Sequence, residues 1–139
     1  MKKTLILLSV LLNTVINAQE KRILFVMSAA KELPLKNGKT YTNTGVFLSE
    51  FYLAYKDLVD LGYSIDFATP NGVVSSIDKE SYKEKYWKGR ENLIPEGTMF
   101  IKNDPKFNRP INLKQALQNT KDYSGLVVPG GQGLMVDLI

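Results

Sequence analysis

The sequence predicts an α/β fold built around a mostly parallel sheet, and three consecutive segments predict it. Residues 22–28 form an apolar run of strand length without polar alternation, which is typical of a strand that is covered on both faces. Residues 44–62 then show helical periodicity, and residues 63–70 form a second strand pattern that ends in Pro-Asn-Gly. Because strand, helix and strand follow one another, a βαβ unit is the economical interpretation.

The helix predicted over residues 44–62 is the clearest element of the chain. Its apolar positions step by four, three, four and three residues: Phe47, Phe51, Ala54, Leu58 and Leu61. Thr44 is the predicted N-cap, and Gly62 is the predicted residue after the helix end. One face of this helix is therefore expected to pack against the sheet.

The other segments are less regular. Residues 29–43 are predicted to form a long loop, and residues 78–90 an amphipathic surface helix or a lid over a site. Residues 95–110 are predicted to be loop with at most one short strand. A short helix is expected over residues 112–119, and residues 125–133 are expected to form a strand that runs into a glycine turn.

Composition limits both the size and the partners of the protein. A chain of 139 residues suits one domain or part of one. Its formal charge is +4, and without Lys2 and Lys3 it is 16 − 14 = +2, which is too small to indicate nucleic acid binding. Tyr and Trp lie among the basic residues of segment 78–90, but we interpret them as a solvated face or a lid, not as a nucleic-acid platform.

The chain contains neither Cys nor His. Disulfides, a zinc cluster, a Cys nucleophile and a His base are therefore excluded within these 139 residues. Any chemistry here has to use carboxylates, hydroxyls, amines or backbone groups.

Residues 1–18, MKKTLILLSVLLNTVINA, have the pattern of a secretory signal peptide. Two Lys precede the apolar stretch from Leu5 to Leu12, and Ala18 precedes the predicted cleavage site before Gln19. The apolar stretch is shorter than the roughly 20 residues that span a bilayer. We expect a periplasmic or secreted protein, residues 19–139, with no stable membrane anchor after cleavage.

Glu50 is the first residue that could carry chemistry. On a helix, it lies about 60° from the centre of the stripe described above, at the margin of the predicted buried face. A carboxyl that is partly desolvated there can stay protonated and donate a hydrogen bond. The alternative is an ordinary Glu whose carboxylate reaches solvent.

The glycine turn PGGQG, residues 129–133, is the second candidate. Backbone N–H groups in a Gly-rich turn can converge on a negative oxygen, which suits an oxyanion or phosphate site. The turn matches neither a dinucleotide-binding fingerprint nor a Walker A loop. The alternative is a plain turn.

The segments TGVFLSE, LGYSIDFATPNG and YSGLVVPGGQGLMVDL occur in an order and spacing that resemble the ThiJ/PfpI superfamily. The long first loop and the insert after the second strand look most like its branch of heat-shock chaperones and glyoxalase III enzymes. The resemblance implies a three-layer sandwich with a mostly parallel sheet, flavodoxin-like or class I glutamine amidotransferase-like. It also implies an N-terminal fragment, incomplete at the C-terminus, because the superfamily's nucleophilic Cys follows later in the chain.

The resemblance also implies roles for individual residues. Glu50 matches the acid that hydrogen-bonds the sulfur of the catalytic Cys, which is missing here. Gly130 and Gly131 match the glycines whose backbone amides face the reacting oxyanion. Asp137 matches a common structural Asp, whereas Gln132 stands where the superfamily usually has His.

The function implied is that of a cofactor-independent, metal-free, Cys-dependent enzyme on methylglyoxal or related small aldehydes, like a glyoxalase III or a deglycase. Two alternatives stay open: a non-catalytic chaperone or binding protein of the same fold, and a peptidase-like or amidotransferase-like member. A homodimer is possible. From residues 19–139 alone we expect no turnover and an open apolar sheet edge.

Overall fold

The structure is a computed structural model that describes residues 21–139. The predicted signal peptide, residues 1–18, lies outside the described residues. Within the described part, none of the helices combines the length and the apolar character that crossing a bilayer requires.

Four parallel strands form the main sheet. They are β1 (Arg22–Val26), β4 (Ser64–Thr69), β5 (Ile111–Asn112) and β6 (Gly125–Val127), in the order β5-β4-β1-β6. In the register, Phe25 of β1 stands beside Phe67 of β4 and Val127 of β6. A separate antiparallel pair is formed by β2 (Glu32–Pro34) and β3 (Thr40–Thr42). The parallel sheet predicted from the apolar run of residues 22–28 is confirmed.

The α-helices are α1 (Leu48–Asp60), α2 (Ile94–Asn103), α3 (Pro105–Asn108), α4 (Leu113–Ala116) and α5 (Leu134–Asp137). Short 3-10 segments cover Lys79–Tyr82, Glu84–Tyr86, Glu91–Leu93 and Leu117–Asp122. Helices therefore separate the parallel strands, as a sheet of this kind requires.

Side chains of β1 alternate between two hydrophobic clusters. Phe25 points into a large aromatic cluster with α1, α2 and α3, while Leu24 and Val26 point into a smaller cluster that contains Ala116 of α4. In the larger cluster the ring of Phe51 lies 5.2 Å from that of Phe107 and 5.8 Å from that of Phe25, centroid to centroid. Helices thus cover both faces of the sheet, and the predicted α/β class in three layers is confirmed.

Helix α1 begins three residues later than the predicted N-cap implies. Its N-cap is Phe47, which makes no side-chain cap, and the predicted N-cap Thr44 is wrong. Thr44 is held in the preceding segment by the bond from its N–H to the carbonyl of Lys31, at 3.2 Å. The predicted end is confirmed, since Gly62 follows the helix with φ +83° and donates its N–H to Val59.

The buried face of α1 is also rotated from the predicted stripe. Its buried residues are Leu48, Ser49, Phe51 and Tyr52. Leu61, which was predicted to continue the stripe, is 70% exposed beyond the helix end. The sheet and α2 together cover a face of α1 that includes Tyr52. The buried side of α1 is therefore set by tertiary packing and not by the single apolar stripe.

Three predictions for the irregular segments are wrong. The predicted loop 29–43 contains β2 and β3, and the predicted loop 95–110 contains α2 and α3, each with a Pro in its first turn. The predicted surface helix 78–90 consists of 3-10 turns around Trp87. Trp87 is fully buried and donates its indole N–H to the carbonyl of Ser81 at 3.0 Å, so this segment folds around one anchor.

Candidate functional site

The two sequence-predicted candidates meet where the glycine turn contacts the start of α1. The turn follows β6, and residues 44–47 lead into α1. The N–H of Phe47, the N-cap residue, donates to the carbonyl of Gly130 at 2.8 Å. This bond ties the glycine turn to the first turn of the helix that carries Glu50.

The carboxylate of Glu50 lies directly against the Cα of Gly130. A Cβ added at Gly130 would stand 2.9 Å from Cδ of Glu50 and would overlap its Oε2. Only a residue without a side chain leaves this room for the carboxylate. The structure therefore brings Glu50 and Gly130 together.

Gly131 has a different structural requirement. Its φ is +142°, and a Cβ there would overlap the carbonyl oxygen of Gly45 and stand 2.9 Å from the N of Phe47. The backbones of the glycine turn and of residues 44–47 are thus in close contact. A glycine is therefore required at position 131 for packing, independently of any hydrogen bond that its amide donates.

The amides of Gly130 and Gly131 have no hydrogen-bond acceptor within the described residues. Buried or half-buried backbone donors are normally paired, so two neighbouring donors left free beside a carboxylate are unusual. Both glycines are only partly exposed. This turn can therefore donate hydrogen bonds to a ligand oxygen.

Glu50 itself is exposed, so within the described residues its carboxylate reaches solvent, which is the second of the two alternatives given for it above. The reason is the rotated face of α1. At about 100° per residue, Glu50 lies roughly opposite the buried side that Leu48 and Tyr52 define. It faces the glycine turn and a cavity, not the core.

Gln132 and Asp137 occupy different environments. Gln132, at the position where a His was expected from the resemblance, is exposed. Oδ2 of Asp137 accepts the N–H of Ala29 at 2.8 Å. That bond links α5 to the end of β1 and holds the glycine turn between them, which agrees with the structural role expected of Asp137.

A cavity of about 350 Å³ opens beside Glu50. It is lined by Ser49, Glu50, Leu53, Tyr86 and Lys88. Sequence analysis missed Tyr86 and Lys88 as site residues, although it allowed that segment 78–90 could cover a site. The alternation of basic and aromatic residues was the available signal, but it does not tell which basic residue faces the cavity. Among residues 21–139, no three side chains of Asp, Glu, His or Cys cluster as metal ligands would.

Two solved structures are similar to this chain in fold. Glyoxalase III from Candida albicans aligns with a TM-score of 0.62 at 19% identity, over 86% of this chain and 47% of its own. Rapid Encystment Protein 24 kDa from Francisella tularensis aligns with a TM-score of 0.61 at 24% identity, over 84% of this chain and 47% of its own. The fold is ThiJ/PfpI-like. The chain spans about half the length of the solved structures it matches.

These similarities show the fold, and the fold predicted from the resemblance is confirmed. No protein-family model and no curated protein matches the sequence. In this ThiJ/PfpI-like fold, the contact of Glu50 with Gly130 lies beyond the carboxyl ends of β1 and β6, the edge where parallel α/β sheets usually bind ligands.

Proposed function

We propose that residues 19–139 form the N-terminal part of an exported, cofactor-independent, Cys-dependent enzyme that acts on methylglyoxal or related small aldehydes, in the manner of a glyoxalase III or a deglycase. The observation that carries the proposal is the contact between the Glu50 carboxylate and Gly130, beside two backbone amides that have no acceptor among residues 21–139. The likeness of the fold to a glyoxalase III supports it.

The nucleophile has to come from outside these residues, because they contain no Cys. In the proposed reaction, a thiolate attacks the aldehyde carbon, a C–S bond forms, and the carbonyl oxygen becomes an oxyanion. The free amides of Gly130 and Gly131 donate to that oxyanion, and the carboxyl of Glu50 donates to the thiolate before attack.

Glu50 can donate only while it is protonated, and a carboxyl keeps its proton where it is removed from water. The described residues leave Glu50 exposed. The atoms that cover Glu50 in the proposed enzyme therefore belong to the same missing part as the thiol. The segment that brings the thiol nucleophile therefore also has to remove the Glu50 carboxyl from water.

The test uses the complete protein and measures lactate formation from methylglyoxal. We expect Glu50→Ala to lower kcat by about 10²-fold or more, as for other positioned acid–base groups, with little change in melting temperature. Glu84→Ala is the matched control, because Glu84 is exposed and lies outside the cavity. Full activity in Glu50→Ala, or a complete reading frame without a Cys nucleophile, would contradict the proposal.

A further inference from the structure

The cavity beside Glu50 is lined by one acidic and one basic residue. Glu50 stands on α1, and Lys88 stands on the segment that follows the 3-10 turn Glu84–Tyr86. Its volume of about 350 Å³ lies at the lower end of the range of small-molecule sites.

Lys88 is positioned by its neighbours. Trp87 before it is fully buried and hydrogen-bonded, so the backbone is anchored there. Lys88 itself adopts a left-handed φ of +52°, and Gly89 follows with +81°. The chain thus reverses directly after its buried anchor, with Lys88 at the rim of the cavity.

Lys88 also differs from every other basic residue of the segment. Lys83 pairs with Glu80 at 2.6 Å, and Arg90 pairs with Asp57 at 2.8 Å. Lys79 and Lys85 lie over aromatic rings, 5.3 Å and 4.6 Å from the ring centroids. Lys88 has no ion pair or ring contact within the described part of the chain. Its charge is therefore available to a ligand.

The cavity has one aromatic lining residue, Tyr86. The rings of Tyr86 and Phe47 pack in a T-shaped arrangement with 4.9 Å between centroids, and Nζ of Lys85 lies 4.6 Å from the centroid of Tyr86. Phe47 is the residue whose N–H bonds Gly130. The lining at Tyr86 is thus connected through one residue to the glycine turn.

We propose that this cavity is a subsite for the anionic group of a small aldehyde that carries a carboxylate or a phosphate, with Lys88 binding the anion. The inference rests on the proposed function. Lys88 attracts the anionic end, so its charge orients the ligand. The neutral carbonyl end then faces Glu50 and the free amides of the glycine turn.

The kinetic test compares charged with neutral aldehydes on the complete protein. Glyoxylate carries a carboxylate, glycolaldehyde phosphate carries a phosphate, and methylglyoxal is neutral. We expect Lys88→Gln to lower kcat/KM for at least one charged aldehyde by about tenfold or more, mainly through KM. The value for methylglyoxal should change less than about twofold. Lys83→Gln is the control, since Lys83 carries the same charge in the same segment but does not line the cavity.

A binding test separates this inference from the proposed function. Acetate and inorganic phosphate are titrated separately into the complete protein and into Lys88→Gln, with chemical shifts of the backbone amides as the readout. Saturable shifts around residues 86–88 that weaken in Lys88→Gln support the subsite, even if no aldehyde is turned over. A response to acetate alone or phosphate alone identifies the anion. Equal effects of Lys88→Gln and Lys83→Gln, or no saturable shift with either anion, would overturn the inference.

Discussion

The carboxylate of Glu50 and the Cα of Gly130 are in contact, and no side chain fits between them. The two residues are 80 positions apart in the sequence, and the bond from Phe47 N–H to the Gly130 carbonyl holds their elements together. Because the obstacle to a side chain at position 130 is the end of a flexible Glu, a substitution there moves the carboxylate before it disturbs the backbone.

Gly130→Ala should therefore impair chemistry more than folding. The added methyl group displaces the Glu50 carboxylate, and we expect kcat of the complete protein to fall by about 10²-fold, comparable to the loss of a positioned group. The melting temperature should fall only slightly. Activity on methylglyoxal and a thermal melt, measured side by side, check both parts. A large loss of stability with unchanged kcat would show that Gly130 serves packing alone.

Gly131→Ala, unlike Gly130→Ala, should mainly lower the stability of the fold. Its methyl group meets the backbone of Gly45 and Phe47, which cannot rotate away, and its φ of +142° is unfavourable for Ala. We expect a loss of at least about 1–3 kcal/mol in the free energy of unfolding. Denaturant unfolding of the complete protein measures it. A wild-type value would contradict the close backbone approach.

Alkaline pH should destabilise the fold through Tyr52. Burial raises the pKa of its phenol, and the hydrogen bond that it donates to Glu96 at 2.8 Å adds to this. The raised pKa means that the folded state resists ionisation, so stability is full below the unfolded pKa of about 10 and is lost as pH rises above it.

An ordinary phenol has a pKa of about 10. Between about pH 9 and pH 11, Tyr52→Phe should therefore lose less folding stability than the wild-type protein. Denaturant midpoints across this range provide the measurement. Tyr63→Phe serves as the comparison, because its hydroxyl makes no hydrogen bond to a carboxylate within the described residues. Identical pH slopes for Tyr52→Phe and wild type would refute the assignment.

Export remains a prediction from residues 1–18. We expect cleavage between Ala18 and Gln19, and mass spectrometry of periplasmic or secreted material should find a chain that begins at Gln19. Replacing Leu7 and Leu8 by Arg interrupts the apolar stretch and should retain the protein inside the cell. An intact Met1 in the exported fraction would contradict the signal peptide.

The edge of the sheet at β6 should promote association of residues 19–139 when they are expressed alone. Leu126 and Val128 are 57% and 49% exposed there and line an apolar groove of about 310 Å³. Exposed apolar edges favour aggregation. Light scattering should decrease with Leu126→Lys but not with Leu61→Lys, which changes an even more exposed residue that does not line the groove. The fragment should also show no turnover of methylglyoxal, since it lacks Cys and His.

Several features follow from the sequence by itself, because local chemistry decides them. The apolar run that contains Phe25 predicts a strand buried on both faces, and Gly62 marks the end of α1 since a left-handed residue is needed there. The absence of Cys excludes a thiol nucleophile within these residues. The glycines of residues 129–133 indicated a turn whose backbone amides could face an oxygen, although not which residues lie beside it.

Tertiary structure decided what depends on distant neighbours. Trp87 lies in a segment whose composition suggests a surface helix. In the structure Trp87 is fully buried, residues 78–90 form 3-10 turns around it, and Lys88 lines the cavity. The buried side of α1 is set by what covers Tyr52, and this turns Glu50 away from the core and toward Gly130. Periodicity records which residues of a helix are apolar, but only packing determines which of them are buried.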